Sequence, residues 1–259
     1  MGANGSETDS LQDGIQAGDA VLAEHERKFL VTPDDGDAFL DAVSPWTTPD
    51  VFDAAGPFSW TRTTYLDTDD FAWFRDSTRG ERARKLRVRQ YASAPTAATA
   101  PLLGADCFLE LKESGGETRS KVRFRAAPAM IAELVRSGGD ISIDAPPSEA
   151  FELLRRILRR HRPSPRVTTW YRRESRSGAD GRVRVTVDSS VVFARPELPG
   201  TPGAPAVPAN PIASFPFHIV EIKYTGDAPS WLAAAAETLP ASTGFSKFRE
   251  GMSCLGIRL

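Results

Sequence analysis

Residues 106–125, DCFLELKESGGETRSKVRFR, decide how the rest of the chain is read. On either side of Gly115–Gly116, charged residues alternate with apolar ones. Glu110 and Lys112 interleave with Leu109 and Leu111, and Lys121, Arg123 and Arg125 with Val122 and Phe124. Alternation of period two marks a strand with one buried face, and a Gly-Gly pair between two such runs marks a hairpin. The stretch therefore predicts antiparallel strands at 106–113 and 119–125.

The same pattern continues outward. Strands are expected at 22–31, 61–67, 84–91, 166–175, 182–193 and 217–225, with Ser177 to Gly181 turning the chain between two of them. Apolar spacing of helical period falls at 34–43, whose first turn is acidic, and at 127–137, 149–161 and 229–239. A turn or helical turn is expected at 69–76. An Ala/Pro/Thr loop fills 92–104, and the proline-rich stretch 195–216 reads as a long exposed loop. Residues 1–19 are polar, Gly- and Asp-rich and aperiodic, which reads as a disordered tail. The expectation is one α+β domain over 20–259, dominated by antiparallel strands.

Composition narrows the function classes. The chain has 259 residues, 41% hydrophobic and 25% charged, the mix of a water-soluble globular protein. It contains no apolar run of spanning length, and its first twenty residues lack the basic and apolar regions of a secretory signal. A cytoplasmic protein without a membrane span is expected. Two cysteines, Cys107 and Cys254, and three scattered histidines exclude a disulfide scaffold and a zinc site of the usual spacing. Both cysteines read as small buried hydrophobes.

The net charge of −2 conceals an asymmetry. Residues 1–60 hold twelve acids and two bases, so the remainder carries +8, which suits an anionic partner. Of 32 bases, 26 are Arg and six are Lys: Lys28, Lys85, Lys112, Lys121, Lys223 and Lys247. None of the six lies in the helices expected above. At least five fall in or beside the alternating segments. Coding bias toward Arg explains the scarcity but not the clustering. A compact ammonium on a flexible stem suits a point contact to phosphate.

On each strand the charged residues share one face. The sets are Glu24, Glu26 and Lys28; Lys85, Arg87 and Arg89; Glu110 and Lys112; Lys121, Arg123 and Arg125; Arg182, Arg184 and Asp188; and Glu221 and Lys223. Together these are eleven bases and five acids. One reading is an ordinary sheet with a solvated face. The other is a barrel turned inside out, with apolar faces against outer helices and charged faces lining a tunnel for a polyanion. In that reading the acids hold a divalent cation, which takes oxygens from carboxylate and phosphate together.

These residues resemble a known family. EHERK at Glu24 to Lys28 has the E-x-E-x-K spacing that opens the triphosphate tunnel metalloenzymes, the CYTH-like superfamily. The remaining pieces resemble the VTC (vacuolar transporter chaperone) branch, the polyphosphate polymerase domain: RVRQY (Arg87, Arg89), FLELK (Glu110, Lys112), SKVRF (Lys121, Arg123), YRR (Arg173), VRVTVD (Arg184, Asp188), EIK (Glu221, Lys223) and FSKF (Ser246, Lys247). They run in the family's order from residue 24 to 251.

The resemblance implies an eight-stranded antiparallel β-barrel, a triphosphate tunnel, with helices packed outside. It implies Mn²⁺ or Mg²⁺ and a nucleoside triphosphate as phosphoryl donor, with inorganic triphosphate or polyphosphate as related ligands. Lys28, Arg87, Arg89, Lys121, Arg184 and Lys247 are then expected in catalysis, and Lys112, Arg123, Arg173 and Lys223 in substrate binding. Glu221 is expected at the metal, with Glu24 and Glu26. Polyphosphate polymerase is the leading activity. Hydrolysis of a triphosphate, or binding of polyphosphate or nucleotide without catalysis, are the alternatives.

Several residues carry a plainer reading beside the functional one. Glu110 has the pattern of a cross-strand ion pair, and Asp188 suits an arginine partner as well as a metal. Arg125 and Arg182 lie near strand ends and read as solvated. The basic face of 149–161 (Arg155, Arg156, Arg159, Arg160) reads as a solvated helix face, or else as a docking surface for emerging polyphosphate. Trp60, Trp73, Trp170 and Trp231 read as packing, and no aromatic pattern of a nucleic-acid module is present, so no nucleic-acid partner is expected.

Overall fold

A computed structural model describes residues 24–51, 58–80, 83–94, 99–115, 118–142 and 148–257. The tail at 1–19 and Gly116 of the hairpin turn lie outside the described residues. The strands are β1 (Glu24–Val31), β2 (Thr47–Pro49), β3 (Phe58–Asp67), β4 (Ala83–Ser93), β5 (Leu102–Gly115), β6 (Thr118–Ala126), β7 (Ser164–Gly178), β8 (Val183–Ala194), β9 (Pro211–Ser214) and β10 (His218–Thr225). The helices are α1 (Pro33–Val43), α2 (Ala72–Arg79), α3 (Pro128–Arg136), α4 (Glu149–His161), α5 (Ser230–Glu237) and α6 (Lys247–Cys254).

All strands join one antiparallel sheet. Its main path is β1-β10-β8-β7-β3-β4-β5-β6, with β2 on β7 and β9 on β8 as side branches. The hairpin that opened the sequence reading is β5–β6, in register from Cys107↔Ala126 to Gly115↔Thr118. The chain is α+β, as expected, and the sheet path has eight strands.

The sheet is curved rather than closed. Among the described residues no ladder joins β6 to β1, so the expected barrel is corrected to an open sheet with those two strands at its edges. One reason lies at the β1 edge, where the segment before α6 takes a bond that a closing strand would need: Thr243 N–H donates to the Lys28 carbonyl. Curvature has a local source in register shifts at Tyr65/Leu66, Gln90/Ala92 and Trp170/Arg172. An extra residue on one strand bends it and increases its twist.

Two apolar cores lie on the convex side. Leu86, Val88, Leu109 and Leu111 pack with Ile131 and Leu134 of α3 and Phe151, Leu154 and Leu158 of α4. Phe29, Val185, Val187, Val220 and Ile222 pack with Phe39 and Val43 of α1 and Leu232 of α5. Each such side chain contributes about 1.5–3 kcal/mol when fully buried. The apolar half of every alternating strand is thus consumed outside, and the charged half is left to line the concave face.

α6 packs at one end of that concave face. Its Phe248 and Met252 meet Tyr65, Phe74 and Val167. The approach is close enough to require glycine. A Cβ at Gly251 would lie 2.9 Å from Val167 Cγ2 and 3.0 Å from Phe193 Cδ1.

Three expectations change in detail. The proline-rich segment is packed rather than wholly exposed: Glu197 pairs with Arg62, Gly200 bonds Gln90 in both directions, and Ala206 is fully buried. It also contains β9. The 92–104 loop is shorter, because β4 runs to Ser93 and β5 starts at Leu102. Cys107 is buried and its thiol is pushed up to about 12 by burial, but Cys254 is exposed and does not fit the buried reading.

Candidate active site

The concave face holds three ionic groups, each built around buried or half-buried carboxylates. The first joins β1 and β10, where Lys28 lies opposite Glu221 and Glu26 opposite Lys223. Lys28 Nζ is 2.6 Å from Glu26 and 3.8 Å from Glu221, and Lys223 Nζ is 3.9 and 3.6 Å from the same two acids. Burial alone would raise the Glu26 carboxyl. The hydrogen bond and charge of Lys28, with the charges of Lys112 and Lys223, outweigh it and hold Glu26 at about 2. Burial alone would lower Lys28, but Glu221 and Glu26 raise it instead.

The second group surrounds Glu110 on β5, whose side chain is 1% exposed. Arg87 donates to its Oε2 at 2.7 Å, and Arg123, Lys121 and Arg89 pair with it by charge at 2.9, 3.5 and 3.9 Å. Against the desolvation that would raise it, Arg87, Arg89 and Lys121 hold this carboxyl at about 2. Arg123 also stacks on Phe108, 3.6 Å from the ring centroid. Of the four bases, Arg87 and Arg89 are largely buried, whereas Lys121 is half exposed on the edge strand β6.

The third group is Asp188 on β8. Arg173 of β7 grips it through Nε and Nη2 at 2.5 and 2.8 Å, and Lys247, the first residue of α6, bonds it as well. Desolvation would raise Asp188, but the charges and hydrogen bonds of Arg173 and Lys247 hold it well below the usual carboxylate range. Lys247 Nζ also sits 4.5 Å from the Tyr171 ring centroid. The plainer readings of Glu110 and Asp188 as partners of bases are therefore what the geometry displays.

A cavity of about 320 Å³ opens beside the first group. Its walls come from distant parts of the sheet and from the C-terminal segment: Glu26 and Lys28 of β1, Lys85 of β4, Lys112 of β5, and Ser246 and Arg249 at α6. The edge strand β1 thus faces one space with β4 and β5, although among the described residues no ladder joins it to them.

The structure brings together Glu26, Lys28, Lys112, Glu221 and Lys223 around this cavity or its β1–β10 wall. It places Arg87, Arg89, Lys121 and Arg123 on Glu110, and Arg173 and Lys247 on Asp188. It does not gather the remaining two. Glu24 is exposed at the first position of β1 and does not line the cavity. Arg184 is half exposed and turned toward Ser175 and Asp50, at 3.0 and 3.5 Å. Arg125 and Arg182 pair with Asp106 and Asp180 at exposed positions, as strand-end residues should.

Lys85 and Arg249 line the cavity without having been assigned a role from the sequence. Lys85 shares the charged face of Arg87 and Arg89, so the strand pattern contained it. Arg249 carried no signal, because only the fold of α6 turns it inward.

Among the described residues no group of three or more His, Cys, Asp or Glu side chains converges as a metal site. Glu26 lines the cavity, and Glu221 lies next to it on β10, sharing Lys28 and Lys223 with Glu26. Two hard anionic oxygen donors suit Mg²⁺ or Mn²⁺ when phosphate and water supply the other positions.

Solved structures with distant likeness include a candidate adenylate cyclase from Bacillus halodurans, with TM-score 0.45, 16% identity and coverage of 92% of this chain and 91% of that one. A Pyrococcus horikoshii protein aligns with TM-score 0.43 and 13% identity over 89% of this chain and 99% of that one. A conserved hypothetical protein from Pyrococcus furiosus aligns with TM-score 0.36 and 14% identity over 91% and 92%. No curated protein matches the sequence. The sequence profile of the VTC domain matches residues 23–256. With nearly the whole chain covered, and with the charged strand motifs lying where that profile falls, the chain belongs to the VTC domain family.

Proposed function

We propose that this protein carries out metal-dependent phosphoryl transfer on triphosphates, and that it extends polyphosphate from a nucleoside triphosphate. The observation that carries the reading is the sharing of every inward acid. Glu26 and Glu221 are each shared by Lys28 and Lys223, Glu110 by four bases, and Asp188 by Arg173 and Lys247. Bases in such excess on one enclosed face repel one another unless an anion joins them. A chain of phosphates supplies several negative charges at the spacing of a row of side chains.

In this reading Lys28, Lys112 and Lys223 bind phosphate in the cavity. Arg87 and Arg89, oriented by Glu110, and Arg173 and Lys247, oriented by Asp188, offset charge on the transferring phosphoryl group. Lys121 and Arg123 guide the polyanion at the edge strand. Arg184, turned toward Ser175 and Asp50, takes no part in this arrangement. Glu26 and Glu221 would hold the divalent cation, and Glu24 contributes only from outside the cavity. Such an ion would supply positive charge to offset that of the phosphate.

The acceptor separates the leading reading from hydrolysis, the alternative suggested by the E-x-E-x-K opening. The test is incubation of purified protein with ATP and Mn²⁺, with products resolved by size. Long-chain polyphosphate is expected. Release of free phosphate alone identifies a triphosphatase, and neither product identifies a binding domain.

A further inference from the structure

Lys85 differs from the other inward bases in its company. Lys28, Lys223, Arg87, Arg89, Lys121, Arg123, Arg173, Arg184 and Lys247 each have a carboxylate within ion-pair distance. Lys85 and Lys112 have none among the described residues, and Lys112 still feels the attraction of Glu26 and Glu221. The charges that act most strongly on Lys85 are all positive: Lys28, Lys112, Arg249 and Arg87. Its one side-chain hydrogen bond among the described residues, 3.1 Å long, goes to a neutral oxygen, Ser246 Oγ. That hydroxyl sits at the N-cap position of α6 yet caps no backbone N–H, so it faces the cavity side.

A half-buried ammonium without a counter-ion is unfavourable in a cavity wall, and is tolerated best where the missing charge comes from elsewhere. The cavity is lopsided in the sense this requires. Its carboxylate, Glu26, lies on the β1 wall beside Lys28. The wall made by Lys85, Ser246 and Arg249 carries two cations and a hydroxyl and no carboxylate among the described residues.

Resting on the phosphate-binding reading above, we propose that Lys85, with Ser246 and Arg249, forms an oxyanion subsite that binds a phosphate without the metal. It is separate from the Glu26/Glu221 wall. Its ligand is a phosphate monoanion or dianion, either free orthophosphate or the terminal group of a longer chain. Such a subsite holds the group that the divalent cation does not reach.

The test uses the full chain in EDTA, with orthophosphate and tripolyphosphate as probes in calorimetric titrations. Wild type, Lys85→Met and Lys28→Met are compared, together with ligand-free melting temperatures. Loss of a charged hydrogen-bonding partner predicts about tenfold to hundredfold weaker tripolyphosphate binding in Lys85→Met. The same variant should melt higher than wild type without ligand, because one repelling cation is gone. A purely structural lysine would give the opposite shift. Weakened orthophosphate binding in parallel identifies free phosphate as a ligand. Weakened tripolyphosphate binding alone identifies the terminal group of a chain. Wild-type tripolyphosphate affinity in Lys85→Met, or a lower melting temperature without ligand, overturns the subsite. If wild type itself fails to bind tripolyphosphate, the phosphate-binding reading falls, which is a different failure.

Discussion

Replacing Glu110 by Gln tests whether the concave face is a set of bases held together by a few acids. The substitution keeps the shape and most of the hydrogen-bonding capacity of the side chain. It removes the only negative charge within reach of Arg87, Arg89, Lys121 and Arg123 among the described residues. Holding the carboxyl at about 2, against an ordinary 4.5, corresponds to about 3 kcal/mol favouring the ionised form. An independent route gives a similar size, since removing one partner of a buried pair costs about 3–5 kcal/mol. The exposed half of the cluster lowers the figure, because Lys121 is 52% exposed and Arg123 36%. About 3 kcal/mol is therefore expected, which lowers the melting temperature by roughly 6–12 °C in a domain of this size.

The pH dependence fixes the cause. A depressed carboxyl stabilises the fold fully above its unfolded value of 4.5, and the contribution is lost as pH falls toward 2. Urea unfolding of wild type and Glu110→Gln at pH 7 should therefore differ by about 3 kcal/mol, and the gap should narrow below pH 4.5. Added tripolyphosphate should close part of the gap at pH 7, since an anion replaces the missing charge. A loss under about 1 kcal/mol at pH 7 would refute the reasoning, as would a gap independent of pH.

Other perturbations reach different parts of the site. Glu221→Gln should raise the Mn²⁺ concentration needed for half-maximal phosphoryl transfer and lower the rate by orders of magnitude. Its metal-free tripolyphosphate binding should remain or improve, and an unchanged metal titration would remove Glu221 from the metal site. Lys85 is held at about 8, by burial first and then by Lys28 and Lys112, so tripolyphosphate affinity should fall as pH rises through 8. Lys85→Arg, which stays charged, should flatten that profile in calorimetry. Gly251→Ala places a Cβ against Val167 and Phe193 and should lower the melting temperature by separating α6 from β7 and β8. Asp188→Asn should weaken the tie between β8 and α6, and hydrogen exchange in 247–254 should speed up more than in α4.

The fold was legible in the strands because a single alternation answered two questions. Val183, Val185 and Val187 are consumed by the convex core with α1 and α5, and the residues between them face inward. Helix positions followed from apolar periodicity and from caps such as Ser148, whose hydroxyl accepts from Phe151 N–H. The short strands β2 and β9 were not legible. TTP and PIAS carry no alternation, and each exists only because a longer strand offers an edge. Closure of the ring was not legible for a similar reason. Alternation gives each strand an inside and an outside, but whether β6 reaches β1 depends on a bond made by Thr243, far along the chain.

Within the site, sequence reasoning found the charged residues but not their partners. Glu110 and Glu221 both read as inward acids beside a lysine two positions on, yet one is encircled by four bases and the other shares two lysines with Glu26. The difference comes from register. β4 and β6 flank β5 and bring Arg87 and Arg123 directly opposite Glu110. Beside Glu221 lie Lys28 on one side and the neutral Thr186 on the other. An acid with bases across both ladders serves to orient them. An acid with one basic and one hydroxyl neighbour, sharing its lysines with Glu26, keeps lone pairs for a further cation. Register also separates Lys85 from its strand mates. Its partner across the β4–β5 ladder is Lys112, whereas Arg87, two residues on, meets Glu110. Like charges directly opposite are unfavourable in an antiparallel pair. Among the described residues Lys112 meets a lysine across both of its ladders, Lys85 on β4 and Lys121 on β6. The Lys85–Lys112 pair is the one that lines the cavity, where an anion between them would turn repulsion into a binding site.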